Sequence, residues 1–128
     1  MSNAEQKTLA DLEWDQVELA VAERCRGPLR ENLVLPLAES YEETSRALAE
    51  STEAWALLAR NEPLPLDGIC DIATSLGHLE REGVLDGPAL KDIRLTLRAS
   101  SVLRRFLGQR KDTAPYLHRA CAIDPTLD

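Results

Sequence analysis

Apolar residues recur along this chain at steps of three and four, the spacing that places side chains on one face of an α-helix. Leu9, Leu12 and Leu19, with Val17 and Val21, predict a first helix over about 9–24, opened by Thr8 as N-cap and stopped by Gly27-Pro28. Pro28 fits the first turn of a short second helix carrying Leu29, Leu33 and Val34, which Pro36 closes. Ser40-Tyr41-Glu42-Glu43 is a capping box, in which the serine hydroxyl and the glutamate carboxylate satisfy backbone donors reciprocally. It opens a third helix over about 41–60, with Leu48, Trp55 and Leu58 as its core stripe, flanked by Ala47 and Ala54 and opposed by Glu42, Glu43, Glu50 and Glu53.

Pro63 and Pro65 disfavour helix in the residues before them, so 61–66 reads as an extended connector. Ile69, Ile72, Leu76 and Leu79 predict a fourth helix over about 69–81, with Asp67 as N-cap and Gly83 at its C-terminal end. Asp86-Gly87-Pro88 opens the longest helix, about 87–108, whose apolar face is Leu90, Ile93, Leu97, Leu103, Phe106 and Leu107. A last short helix, about 114–122, precedes Asp124-Pro125. No stretch reads as a strand and no internal repeat is present. The expected fold is all-α, a bundle of about six helices in hairpins around two long helices. The expected organisation is a disordered or vector-derived start over 1–7, one helical domain over 8–123 and a tail over 124–128.

Composition supports helices: the apolar supply is mainly Leu and Ala, and the aromatics are only Trp14, Tyr41, Trp55, Phe106 and Tyr116. No run approaches the roughly 20 apolar residues that span a bilayer, and Met1 to Lys7 has no apolar signal region. A cytoplasmic protein without membrane contact is therefore expected. Cys25, Cys70 and Cys121 are odd in number and widely separated, which suits reduced thiols rather than a disulfide framework or a zinc site. His78 and His118 have no second ligand at metal spacing.

The net charge of −7 is unevenly distributed. Residues 1–88 carry 7 Lys/Arg against 18 Asp/Glu, whereas residues 89–128 carry 8 against 4. Most of that positive charge follows the longest helix and its exit: Lys91, Arg94, Arg98, Arg104, Arg105, Arg110 and Lys111. An acidic body argues against nucleic-acid binding by the whole surface. The basic third reads either as a local nucleic-acid contact or as a solvated helix face paired with acidic neighbours.

Catalytic patterns are missing. Gly83 and Gly87 are spaced like part of a phosphate loop, but no Gly-Lys-Ser/Thr follows. Neither histidine belongs to a motif that would hold a Ser or Cys nucleophile, and Glu42-Glu43 and Glu80/Glu82 lie on polar faces where solvation leaves them ordinary acids. No catalytic, cofactor-binding or metal residue is assigned, and this chain is not expected to be an enzyme.

The order of several segments resembles the amino-terminal region of the second bacterial branch of the MutS family, whose members end in an Smr domain. The segments are Thr8-Leu9-Ala10-Asp11-Leu12-Glu13-Trp14-Asp15, Leu48-Ala49-Glu50-Ser51-Thr52-Glu53-Ala54 with Leu57-Leu58, and Pro65-Leu66-Asp67-Gly68-Ile69-Cys70-Asp71-Ile72. Leu79-Glu80-Arg81-Glu82-Gly83-Val84-Leu85 follows, then Leu90, Asp92-Ile93, Leu97-Arg98-Ala99-Ser100 and Leu103-Arg104-Arg105-Phe106-Leu107. Gly87-Pro88 and the acidic first two helices depart from the family's usual pattern. The resemblance implies a parent protein with a lever and coiled-coil portion, a dimeric ATPase using ATP and magnesium, and an Smr endonuclease. It also implies a role in suppressing recombination or in rescuing stalled ribosomes. The partners it implies are the remainder of a MutS-like chain, DNA or ribosomal RNA, and a second copy. No Walker or Smr residue has a counterpart here, so no cofactor is expected in this chain. On this reading the chain is a non-catalytic interaction module; the alternative is a stand-alone helical adaptor that binds a partner protein.

Overall fold

The computed structural model describes residues 3–25, 33, 35 and 40–122, with side chains from residue 6 onward. It is all-α: among the described residues there are six helices and no strand. They are α1 (Asn3–Asp11), α2 (Trp14–Ala22), α3 (Tyr41–Ala59), α4 (Ala73–Glu80), α5 (Gly87–Gly108) and α6 (Pro115–Ala120). Contacts divide the chain into two compact units, Met1–Pro36 and Leu37–Asp128, a boundary that the reading of one domain over 8–123 does not draw.

In the first unit the helix expected over 9–24 is two helices. Glu13 takes a left-handed conformation with φ of 50°, which interrupts the α-helical ladder between α1 and α2. Thr8 lies inside α1 rather than capping it, because that helix already begins at Asn3 within the start expected to be disordered. The Glu18 carboxylate accepts a bond of 3.0 Å from the Leu35 N–H. The short helix expected over 28–36 falls mostly outside the described residues; Leu33 and Leu35, which are described, are not helical.

The second unit is organised by α6, which packs against both long helices. Its core joins Leu57 of α3, Leu107 of α5 and Ala114 before α6, with Leu64, Leu103, Phe106 and Leu117 packed around them. The Ser40 hydroxyl accepts from the Glu43 N–H at 3.2 Å, so the serine of the expected capping box does cap the start of α3.

The stripe expected to be core is not. Leu48, Trp55 and Leu58 are 63%, 73% and 59% exposed, while Leu57 is 3% exposed. The packed face is the one bearing Glu53, and the reason is the start of α6. Ala114 has no side chain with which to cap it, and the Glu53 carboxylate instead accepts from the Tyr116 and Leu117 N–H groups at 3.1 and 2.8 Å. A polar residue thus turns the face it occupies inward.

Both short-range helix ends follow one design. Asn61 and Glu82 have φ of 58° and 59°, and the following N–H groups reach back, Glu62 to the Leu57 carbonyl at 3.0 Å and Gly83 to the His78 carbonyl at 2.9 Å. A Cβ at Gly83 would sit 2.7 Å from that His78 oxygen, so glycine serves here for close approach rather than for positive φ.

α4 begins at Ala73, four residues later than the periodicity predicts, so Asp67 does not cap it. Gly68 turns the chain with φ of 90°, and the Thr96 hydroxyl of α5 accepts from the Cys70 N–H at 3.0 Å and donates to the Cys70 carbonyl at 3.4 Å. Bound in this way, residues 69–72 cannot wind, and an Asp71 carboxylate oxygen instead accepts from the Ala73 N–H at 3.0 Å. α5 spans the expected 87–108, with the Asp86 carboxylate accepting from the Ala89 N–H at 2.9 Å and a proline in its first turn.

Candidate nucleic-acid interface

Lys91, Arg94, Arg98 and Arg105 fall on one side of α5 at steps of three, four and seven, and all four are exposed. At 1.5 Å per residue this row is roughly 21 Å long. Among the described residues none of the four is paired with a carboxylate. The row is edged by apolar side chains, with Leu90 55% and Leu97 37% exposed and Ile93 half-buried. Arg105 is braced within the helix, donating to the Ser101 hydroxyl at 3.5 Å.

The remaining expected residues divide differently. Arg110 is committed to the fold: Nε lies 2.9 Å from a Glu62 carboxylate oxygen, Nη1 donates to the Phe106 carbonyl at 3.1 Å, and the guanidinium stacks 3.8 Å from the Phe106 ring centre. It ties the connector after α3 to the end of α5. Arg104 and Lys111 turn to another surface, a concavity of about 680 Å³ between the C-terminal end of α5 and α6 that they line together with Arg105, His118 and Arg119.

His118 and Arg119 are the residues that sequence reasoning missed. They lie seven and eight positions beyond Lys111 in another helix. Only the folding back of α6 onto α5 brings them to the same cluster. The charge excess after residue 89 was the available signal, and it does not say which cations converge.

Cys121 adjoins this concavity. Burial pushes its thiol pKa up, while the Arg104 guanidinium pulls it down by a smaller amount, so the thiol is held protonated.

The described residues contain no cluster of three or more His, Cys, Asp or Glu side chains placed to hold a metal ion, and no helix among them is long and apolar enough to cross a membrane. Gly83 closes the end of α4 on the His78 carbonyl and Gly87 is the first residue of α5.

Comparison with characterised proteins decides the family. The chain is 36% identical over 116 residues to the endonuclease MutS2 of Anaeromyxobacter sp. (strain Fw109-5) and 31% identical over 109 residues to that of Symbiobacterium thermophilum. These alignments cover 87% and 84% of the chain. This is a MutS2-like chain. The endonuclease MutS2 of Geobacillus kaustophilus matches 94% of it at 31% identity. The chain spans only about a seventh of these MutS2 relatives, 14% of the first two and 16% of the third. No family model and no solved structure matches it.

Proposed function

We propose that the chain is a non-catalytic helical module of a MutS2-like protein, which docks through its uncovered apolar faces and presents α5 to nucleic acid. The observation that carries the proposal is the exposed row Lys91, Arg94, Arg98 and Arg105, whose charges are not neutralised by carboxylates among the described residues. Guanidinium groups in such a row engage backbone phosphates without reading sequence. The ATPase and endonuclease chemistry of a MutS2-like protein is assigned to its other parts. Whether its nucleic acid is DNA or ribosomal RNA follows from comparing branched DNA with ribosomal RNA helices in one binding assay. Wild-type protein is expected to bind at low salt and Arg94→Glu/Arg98→Glu to bind at least tenfold more weakly; equal binding by both proteins refutes the nucleic-acid role.

A protein-docking reading is favoured by a separate observation. On α3, Tyr41, Thr44, Leu48, Ser51, Trp55 and Leu58 follow alternating steps of three and four, and all six are exposed. A seam of this kind takes a helix, either from the remainder of a MutS2-like chain or from a second copy. Sedimentation analysis separates the two, because a seam that pairs with itself gives a dimer that Trp55→Glu dissociates.

A further inference from the structure

We infer that α3 pairs with the α3 of a second copy of this chain, antiparallel and in a single register, with Leu48 of each copy facing Ser51 of the other. The inference rests on the docking reading of the α3 seam and is independent of the nucleic-acid role of α5.

The seam alternates in size. Its large positions Tyr41, Leu48 and Trp55 are seven residues apart, and the positions between them are the smaller Thr44 and Ser51, before Leu58 ends the row. Parallel pairing would stack each layer on its own kind, Trp55 on Trp55 and Ser51 on Ser51, crowding some layers and leaving voids in others. Reversed, the same row is complementary to itself. Leu48 meets Ser51, Trp55 meets Thr44 and Tyr41 meets Leu58, each contact occurring twice about a two-fold axis that passes between Ala49 and Glu50. Every inner layer then sets a large side chain against a small one.

The chemistry of this face suits burial. The hydroxyls of Thr44, Ser51 and the adjacent Thr52 donate to the carbonyls of Ser40, Ala47 and Leu48 at 3.0, 2.9 and 2.7 Å, so they are satisfied within the helix and need no water. The positions flanking the seam are Ser45, Ala47, Thr52, Ala54 and Ala59, which bring neither charge to repel a second copy nor bulk to hold it off. Packing within the chain uses the opposite side of α3, where Glu53 and Leu57 hold α6 and the core. Tyr41, Leu48, Trp55 and Leu58 are 87%, 63%, 73% and 59% exposed. They offer on the order of 500 Å² per copy, so pairing buries about 1,000 Å² in all. That area lies at the lower end of specific interfaces and suits a reversible pair forming at roughly 10–100 μM rather than an obligate dimer.

Sedimentation equilibrium of the chain over about 5–500 μM tests the pairing by mass action. The wild type is expected to pass from monomer toward dimer across this range. Leu48→Lys and Ser51→Glu, both at exposed positions, are each expected to weaken pairing at least about tenfold. Mixed in equal amounts, the two variants are expected to recover a dimer, because the antiparallel register sets the new lysine against the new glutamate and a parallel register does not. A wild-type dimer that neither substitution weakens lies on another face and overturns the inference. A dimer that both substitutions weaken and the mixture does not restore overturns the register. A wild type that stays monomeric throughout overturns pairing by a second copy. In that case a helical peptide of Leu and Ala heptads, titrated with amide NMR shifts over 41–58 as the readout, decides the seam itself: shifts there keep the docking reading, and their absence removes that reading as well.

Discussion

The Glu53 carboxylate of α3 caps a helix 64 residues away, accepting from the Leu117 N–H at 2.8 Å and, with its other oxygen, from the Tyr116 N–H at 3.1 Å. α6 has only six residues and is marginal alone, so this carboxylate fixes both its start and its position on α3. Glu53→Ala is expected to destabilise the second unit by about 1–2 kcal/mol, as loss of a charged cap does. Chemical denaturation checks this, and a midpoint equal to wild type would show that α6 is held by its apolar contacts alone.

Two neighbouring residues on α3 should behave in opposite ways. Leu57 is 3% exposed in the core with Leu107, whereas Trp55 is 73% exposed. Leu57→Ala is expected to cost about 2–5 kcal/mol, through lost burial and the cavity left behind. Trp55→Ala is expected to change stability by less than about 0.5 kcal/mol. Urea unfolding of the two variants distinguishes this arrangement from one in which the Leu48, Trp55 and Leu58 stripe is the core.

The glycines of the α4 region offer a similar contrast. A Cβ at Gly77, inside the helix, meets nothing within 4 Å, while one at Gly83 lies 2.7 Å from the His78 carbonyl oxygen. Gly77→Ala should stabilise the chain by up to about 1 kcal/mol and Gly83→Ala should destabilise it by more than about 1 kcal/mol. Thermal melts of both variants read the two signs directly.

Cys121 gives a pH-dependent prediction. Burial raises its thiol pKa and Arg104 opposes that rise. The folded chain therefore holds the thiol proton more tightly than the unfolded chain, a contribution fully present below the unfolded thiol pKa and lost as pH rises through the folded value. Alkylation of Cys121 at mildly alkaline pH should be slower in the native chain than in urea, and slower still in Arg104→Ala. Faster alkylation in Arg104→Ala would place the guanidinium away from the thiol.

The sequence carried more of the helices than of their packing. Asp86 and Pro88 mark the start of α5, and Ser40 that of α3, because caps and prolines act within a single turn. Where a distant group decides, local pattern misleads. The bond between Thr96 and Cys70 delays α4, and Glu53 draws the acidic side of α3 inward. Glu13, left-handed without being glycine, splits a periodicity that runs on unbroken through it. The basic row on α5 was legible because one helix carries it. The cluster that adds His118 and Arg119 depends on the return of α6, which no spacing along the chain encodes.

The contact proposed between α5 and nucleic acid runs through phosphates, so it must show in the salt dependence of binding. The logarithm of the association constant of the wild-type chain for a DNA or RNA duplex should fall linearly with the logarithm of salt concentration. A slope of about −3 to −4 corresponds to the four cations Lys91, Arg94, Arg98 and Arg105, and Arg94→Glu/Arg98→Glu should reduce it by about two. Binding with no salt dependence, or with a slope unchanged in that variant, would rule out phosphate contact by this row.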